Sequence, residues 1–437
     1  MDWIFAVVCI TAGLIFIWSL AKGRRPLSYL FYFWVICFNF GPRTNEIFGL
    51  NIFYLEGISW IVFFMLLFRL NFFIFHEKGI FPKYTAPLFG LFLIGLLTAA
   101  TNQREAKIII EDFSPFLSLI PVFCIVFAGF KYLDIKIEKI IKIFIIGTAI
   151  LTAGGVLFYF FPQLIKMFPE GLFTGESVLI DVSTIEVELQ EGVVLNRGGG
   201  SFWGQLLLSA YLLLLLFPIY SLRTYLKKGS KGWGCLFLTA AMITNILING
   251  QRSVWAGFLL GIALYSFFKG LRGVSMVIAF IFILHKILPP AFLLRFYSLF
   301  KVSDIAWAGR VTRYEKASEI ISQHPFFGLG WGGSGWVHDI ALQMSANLGL
   351  ITTFIFFLWL RKLILNAFQL YNNPDQSKIN KVYILSFAVS IVAFLGPLLG
   401  ESVMNYPHLM IPFWSFCAIV HNFKVNAINI ETAENKN

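Results

Sequence analysis

The residues of this chain with the clearest capacity for chemistry are four arginines and an adjacent histidine and aspartate: Arg197, Arg252, Arg310, Arg313, His338 and Asp339. Arginine binds phosphate through a planar fork that stays charged at any working pH. Several glycines flank these residues, as in "NRGGGSFWGQ" and "FFGLGWGGSG", and glycine backbone lets N–H groups approach an anion closely. A histidine can accept a proton near neutral pH. The combination indicates a site that binds a phosphate or pyrophosphate and moves a proton beside it.

Each of these features also has a purely structural explanation. Arg197 and Arg252 could extend from helix ends to lipid headgroups. Arg313 could pair with Glu315 or Glu319 on an exposed helix face. The glycine run could be only a turn between helices, and the histidine could serve a structural role. The binding hypothesis therefore depends on whether the features lie on the same side of the protein.

The elements that must position these residues are membrane helices. The 437 residues are 58% hydrophobic and only 13% charged, against about 25% charged in a soluble domain. A spanning helix needs about 20 apolar residues. The sequence predicts an all-α polytopic membrane protein with about twelve or thirteen transmembrane helices, at about 3–20, 28–41, 48–68, 84–101, 113–130, 140–161, 202–222, 232–249, 252–268, 273–289, 341–360, 382–400 and 406–423.

The distribution of lysine and arginine orients these helices. If the loop with Lys22, Arg24 and Arg25 is cytoplasmic, alternation places the other short basic loops on the same side, as the positive-inside rule requires. The net charge of +11 then reflects topology and not nucleic-acid binding. Arg197, Arg252, Arg310 and His338 fall together on the opposite, outer side.

Two long segments are predicted outside, at 162–200 and 290–340. The first contains "STIEVELQ", which alternates like a strand. The second contains an amphipathic helix over "SDIAWAGRVTRYEKASEIISQ", ended by His324-Pro325 because the residue before proline avoids helical geometry. The chain thus divides into 1–161 N-terminal membrane helices, 162–200 first outer loop, 201–289 core membrane helices, 290–340 large outer loop, 341–423 C-terminal membrane helices and 424–437 cytoplasmic tail. The composition of "NIETAENKN" at the end of the tail predicts disorder.

The motifs around these residues resemble those of the bacterial O-antigen polymerase and O-antigen ligase superfamily. In that family a Gly-Arg pair opens an amphipathic loop helix, a proline-glycine turn follows, and a His-Asn starts the next membrane helix. This chain has "AGRVTRYEKASEIISQHPFFGLGWGG" and then "HDIALQMSANLGLITT". Arg310 matches the Gly-Arg position and His338 the histidine. Asp339 replaces the usual asparagine. The resemblance covers about residues 195–355, including the segments with Arg197 and Arg252.

The resemblance implies a GT-C-like fold and a glycosyltransferase that needs no metal and no other cofactor. Its substrate would be an undecaprenyl-pyrophosphate-linked oligosaccharide, used on the periplasmic face of the bacterial inner membrane. Arg197, Arg252, Arg310 and Arg313 would bind the pyrophosphate. His338 would be the general base, oriented by Asp339. The partners would be the lipid-linked glycan, the bilayer and a chain-length regulator, with no nucleic acid.

Three functions remain open from the sequence. A polymerase joins lipid-linked repeat units, whereas a ligase transfers the glycan to lipid A-core. The acidic first outer loop, 162–200, and the number of spans favour the polymerase. A polysaccharide transporter or flippase is the third alternative, although the sequence has no repeated halves and no evident ionisable pair at the bilayer midplane.

Overall fold

The structure is a computed structural model of the chain. It describes residues 3–23, 25–38, 44–47, 50–70, 79–160, 185–190, 193–197, 205–225, 230–270, 275, 282, 286, 305–335, 337–401 and 403–434. Helices dominate these ranges. They are α1 (Trp3–Lys22), α2 (Leu27–Cys37), α3 (Tyr54–Arg69), α4 (Thr85–Thr101), α5 (Ala106–Leu117), α6 (Leu119–Tyr132), α7 (Ile137–Phe160), α8 (Gln205–Tyr225), α9 (Ser230–Ile248), α10 (Arg252–Phe267), α11 (Ile305–Gln323), α12 (Ile340–Asn372), α13 (Lys378–Gly400) and α14 (Pro407–Glu434).

The chain is a membrane protein built from apolar helices. Four stretches in the described ranges are long and apolar enough to cross a membrane: Ala106–Tyr132, Ile137–Leu157, Ile340–Asn372 and Lys378–Gly400. Large hydrophobic side chains point outward from other helices, with Phe237 78% and Phe267 73% exposed. An exposed apolar surface of this kind requires a non-aqueous environment, which a lipid bilayer provides.

Most predicted spans coincide with helices, with the following differences. The span predicted at 48–68 begins with a strand, Leu50–Phe53, and its helix starts only at Tyr54. The helix predicted to end at residue 360 continues to Asn372. The span predicted at 113–130 is extended to Ala106 and consists of α5 and α6, which meet at Ser118. The tail predicted after residue 423 begins as a continuation of α14 to Glu434, because this segment contains good helix formers and neither proline nor glycine. The span predicted at 273–289 lies outside the described residues, apart from Ser275, Phe282 and Lys286.

Two short antiparallel hairpins connect the helices. Strands β1 (Thr44–Ile47) and β2 (Leu50–Phe53) precede α3, and β3 (Ile185–Gln190) pairs with β4 (Val193–Arg197) before α8. The strand expected in "STIEVELQ" is therefore confirmed. The rest of the predicted outer loop at 162–200 is outside the described residues.

Small residues allow α10 and α13 to pack closely. A Cβ on Gly257 would lie 2.1 Å from the carbonyl oxygen of Ala393, and a Cβ on Gly400 would lie 2.5 Å from Ser253 Cβ. Close approach through glycine is a common way for membrane helices to associate. It brings the C-terminal end of α13 next to the first turn of α10. We call this the loop end of the bundle, where α4 and α13 end and α10, α12 and α14 begin.

Candidate functional site

The helix predicted before His324-Pro325 is confirmed as α11, which ends at Gln323. Its position on the outer side of the membrane stays a prediction. Its buried residues are Ala317 and Ile320, which form a small core with Val337 and Ala346. Arg310 and Arg313 lie about two helical turns before Ala317 and Ile320, so they are on the same side of the helix, the side that packs on α12.

Arg310 is held by the C-terminal end of α13. Its Nη2 donates to Glu401 Oε1 at 2.8 Å, and its Nη1 donates to the carbonyl oxygen of Gly400 at 3.3 Å. The side chains of Arg310 and Glu401 are 24% and 10% exposed, so the ion pair is largely shielded from water. Arg310 therefore already has a counter-ion within the protein, which the sequence did not indicate.

His338 lies between Glu401 and Arg313. Its Nδ1 is 3.5 Å from Glu401 Oε2, and its Nε2 contacts Nη1 of Arg313. A guanidinium can only donate, so Nε2 must accept and the ring proton must be on Nδ1, facing the carboxylate. The geometry thus describes a neutral histidine whose tautomer is set by Glu401 on one side and Arg313 on the other.

His338 and Arg310 together favour the ionised form of Glu401. Burial alone would raise its pKa. The hydrogen bond from His338 and the charge of Arg310 outweigh burial, and the pKa of Glu401 is lowered from its ordinary value of 4.5. Glu401 is therefore ionised at neutral pH and can hold both neighbours.

Asp339 caps a helix in this structure. Its Oδ1 accepts from the N–H of Leu342 at 2.8 Å and caps the start of α12. Burial raises the pKa of Asp339, and hydrogen bonds from the N–H groups of Leu342 and Ala341 oppose that rise. The expectation that Asp339 orients His338 remains a prediction, whereas the carboxylate 3.5 Å from the ring is that of Glu401.

The glycine-rich segment, residues 324–335, folds back against α12 and α4 and is not a simple exposed turn. Its attachment depends on a break in α12 at Gly349, where φ is 83° and ψ is 165°. The break removes the helical partner of Ala346 O, which instead accepts from Leu329 N at 2.9 Å, while Leu350 N donates to Pro325 O at 2.8 Å. The segment thus replaces hydrogen bonds that a continuous helix would have made.

The break and the attachment both require glycine. A Cβ on Gly349 would lie 1.9 Å from the carbonyl oxygen of Phe326, and one on Gly330 would lie 2.2 Å from the backbone nitrogen of Ala99. Both residues have positive φ, which costs other residues about 1–3 kcal/mol. Glycine at these two positions therefore permits close backbone packing, which brings the chain to the start of α12.

A half-buried carboxylate fixes the same segment from the other side. Asp112 Oδ2 on α5 accepts from Gly332 N at 3.0 Å and from Asn347 Nδ2 at 2.9 Å. Asn347 Oδ1 in turn accepts from Ser334 N at 2.7 Å. Trp331 inserts beside them and donates its indole N–H to Phe92 O at 2.9 Å. These contacts hold the segment that leads directly to His338.

The predicted phosphate-binding arginines are brought together only in part. Arg310 and Arg313 share the site with His338. Arg252 begins α10, and the next residue, Ser253, packs against Gly400 beside Glu401, so Arg252 starts at the same loop end. Arg197 is the last residue of β4, opposite Ile185, and its side chain lies outside the described part of the chain. Arg313 contacts His338, and no ion pair joins it to Glu315 or Glu319 among the described residues.

Sequence reasoning missed Glu401 and Asp112. A usable signal existed for each, because an acidic residue at the end of an apolar span or within one is costly unless it has a partner. Glu401 follows "GPLLG" at the end of a predicted span, and Asp112 stands at the edge of another. Their partners are far away in sequence, so the signal gives no pairing.

Across the described residues, no three His, Cys, Asp or Glu side chains are close enough to share a metal ion. Comparison with known proteins gives no family assignment, because no protein-family model matches the chain and no curated protein is significantly similar to it.

Proposed function

We propose that this chain is a membrane glycosyltransferase that polymerises undecaprenyl-pyrophosphate-linked oligosaccharide repeat units at the periplasmic face of the inner membrane. The observation that carries the proposal is the cluster of Arg310, Arg313, His338 and Glu401 at one end of an apolar helix bundle. The motif resemblance to O-antigen polymerases and ligases supplies the substrate class and the GT-C-like architecture.

The chemistry follows from the functional groups. A hydroxyl of the acceptor sugar attacks the anomeric carbon of the donor, and the bond from that carbon to the pyrophosphate oxygen breaks. The electron pair of that bond leaves with the pyrophosphate, whose growing charge arginines would stabilise. The hydroxyl proton passes to Nε2 of His338, and Glu401 stabilises the imidazolium that forms.

The division of labour between the arginines also follows from their contacts. Arg310 is fixed by Glu401 and Gly400 and would present its remaining N–H groups from a rigid position. Arg313 is exposed and would reach toward the phosphate. Arg252 would approach from the start of α10, where backbone N–H groups also favour an anion. Arg197 is proposed as a further phosphate ligand from the motif resemblance alone.

The test uses purified protein in detergent with lipid-linked repeat units as both donor and acceptor. The parent should form chains of increasing length, and His338→Gln should lose turnover because glutamine cannot accept a proton at this pH. His324→Gln is the matched control, since His324 is exposed at the end of α11 and should be dispensable. A His338→Gln variant with parental turnover would contradict the base role.

The glycan carried by a deletion strain separates the polymerase from the ligase. A deletion strain of a polymerase should carry a single repeat unit on lipid A-core. A deletion strain of a ligase should carry no glycan there and should accumulate long chains on undecaprenyl lipid. If the purified chain instead moved the lipid-linked unit across a vesicle membrane without chain growth, the transferase proposal would be wrong.

A further inference from the structure

The nitrogen that must act as the base is covered in this structure. Nε2 of His338 contacts the guanidinium of Arg313, and Nδ1 faces Glu401 at 3.5 Å. A base needs a free lone pair on the nitrogen that takes the proton. The only lone pair of a neutral imidazole with its proton on Nδ1 is on Nε2. The arrangement therefore describes a base that is correctly oriented but capped.

The two arginines of α11 are not equally fixed. Arg310 has a carboxylate partner at 2.8 Å and a carbonyl partner at 3.3 Å. Arg313 is exposed, and its contact within the described residues is with a neutral ring. A phosphate oxygen forms a much stronger, charge-assisted hydrogen bond with a guanidinium than a neutral imidazole does. A phosphate group that enters the site would compete successfully for Arg313 but not for Arg310.

We infer that Arg313 caps Nε2 of His338 until a pyrophosphate-bearing ligand draws the guanidinium away, so that donor binding exposes the base. The ligand class is a pyrophosphate ester or pyrophosphate itself. The catalytic meaning of this exchange rests on the proposed glycosyltransferase function. The exchange itself requires only the contacts of Arg313, His338 and Glu401.

The mechanism gives the two arginines distinct roles. Arg310 and Glu401 keep the imidazole in one orientation and one tautomer throughout. Arg313 changes partner. Because its side chain is exposed and Arg310 separately holds α11 to Glu401, Arg313 can rotate without movement of the helix. A histidine capped in this way cannot take a proton from water or from an acceptor hydroxyl before the donor is bound.

The test measures the accessibility of Nε2 directly. Purified protein is treated briefly with diethyl pyrocarbonate, which acylates neutral imidazole nitrogen, and modification of His338 is quantified by peptide mass spectrometry with and without inorganic pyrophosphate. We expect slow modification of the parent, raised about tenfold by pyrophosphate, the factor expected for removing a hydrogen bond to a charged group. His324 serves as the exposed internal reference for folding and reagent.

Two variants complete the test. In Arg313→Ala, diethyl pyrocarbonate should modify His338 rapidly with or without pyrophosphate. Lys316→Gln, which removes another exposed cation of α11, should behave as the parent. Unchanged or reduced His338 modification of the parent in pyrophosphate, or slow modification of Arg313→Ala, would overturn the inference.

The transferase assay is run separately, so the two proposals can fail independently. An active chain whose His338 does not respond to pyrophosphate refutes the cap but not the transferase. A chain without transferase activity whose His338 responds as expected supports the cap and refutes the function.

Discussion

Replacing Glu401 with glutamine tests whether this carboxylate organises the site. Glu401→Gln keeps the size of the side chain but removes its charge and turns one terminal oxygen into an N–H donor. Arg310 Nη2 and the Nδ1–H of His338 both need an acceptor, at 2.8 Å and 3.5 Å from the two carboxylate oxygens. The glutamine has a single oxygen and can satisfy only one of them.

The expected cost follows from the exposure of the pair. A hydrogen bond between charged groups contributes about 1.5–3 kcal/mol. Arg310 is 24% exposed and Glu401 10% exposed, so solvent screening reduces that range. We expect Glu401→Gln to lower the free energy of unfolding by about 1–2 kcal/mol. If His338 is the base, loss of its orientation should reduce turnover by about tenfold or more.

The pH dependence has a definite sign. The pKa of Glu401 in the folded protein is below its ordinary value of 4.5, so its ionised form is favoured by folding. This contribution is fully present above pH 4.5 and is lost as the pH falls through the lowered pKa of the folded protein. The difference in stability between the parent and Glu401→Gln should therefore be constant near neutral pH and shrink under acid conditions.

The assay is thermal unfolding in detergent, repeated from neutral pH down to the acid range. Asp339→Asn is the control, since asparagine also caps helices and burial raises the pKa of Asp339. A raised pKa means that the ionised form is disfavoured by folding, so Asp339→Asn should be as stable as the parent or slightly more stable above pH 3.8. Equal stability of Glu401→Gln and the parent at neutral pH, or a gap that persists in acid, would refute the reasoning.

Three further predictions concern the glycine-rich segment, the arginine and the topology. Gly349→Ala should severely reduce stability in thermal unfolding because its Cβ would lie 1.9 Å from a backbone oxygen, whereas Gly335→Ala, which also has positive φ but has no atom within 4 Å of its Cβ, should cost only about 1–2 kcal/mol. Similar losses in both variants would contradict the close-packing argument. Arg310→Lys should lower transferase turnover about tenfold to a hundredfold, because lysine lacks the planar fork with which arginine can contact Glu401, Gly400 and a phosphate together. Parental turnover of Arg310→Lys would show that the charge alone suffices. A cysteine at the exposed Ser322 should be labelled by an impermeant maleimide in intact spheroplasts, and labelling only after lysis would place α11 on the cytoplasmic side.

The sequence by itself determined the class of protein and the position of most helices. Runs of apolar residues long enough for a bilayer are visible without any tertiary information, because most side chains of a spanning helix must be compatible with the hydrocarbon core of the membrane. The helix ending before His324-Pro325 was also predictable, since proline restricts the residue before it. The grouping of Arg310 with His338 was inferred from motif resemblance and topology, and the structure brings them to the same carboxylate.

The tertiary structure alone decided which partners those residues have. Glu401 lies 63 positions after His338 and 91 after Arg310 in the chain, and nothing local connects them. The break at Gly349 was equally hidden, because "SANLGLITT" lies inside a predicted apolar span and a single glycine there is tolerated in a continuous helix. The returning backbone of 324–335 stabilises the break. Pairing between distant ionisable groups depends on how helices pack, and a single sequence specifies each helix far more directly than it specifies that packing.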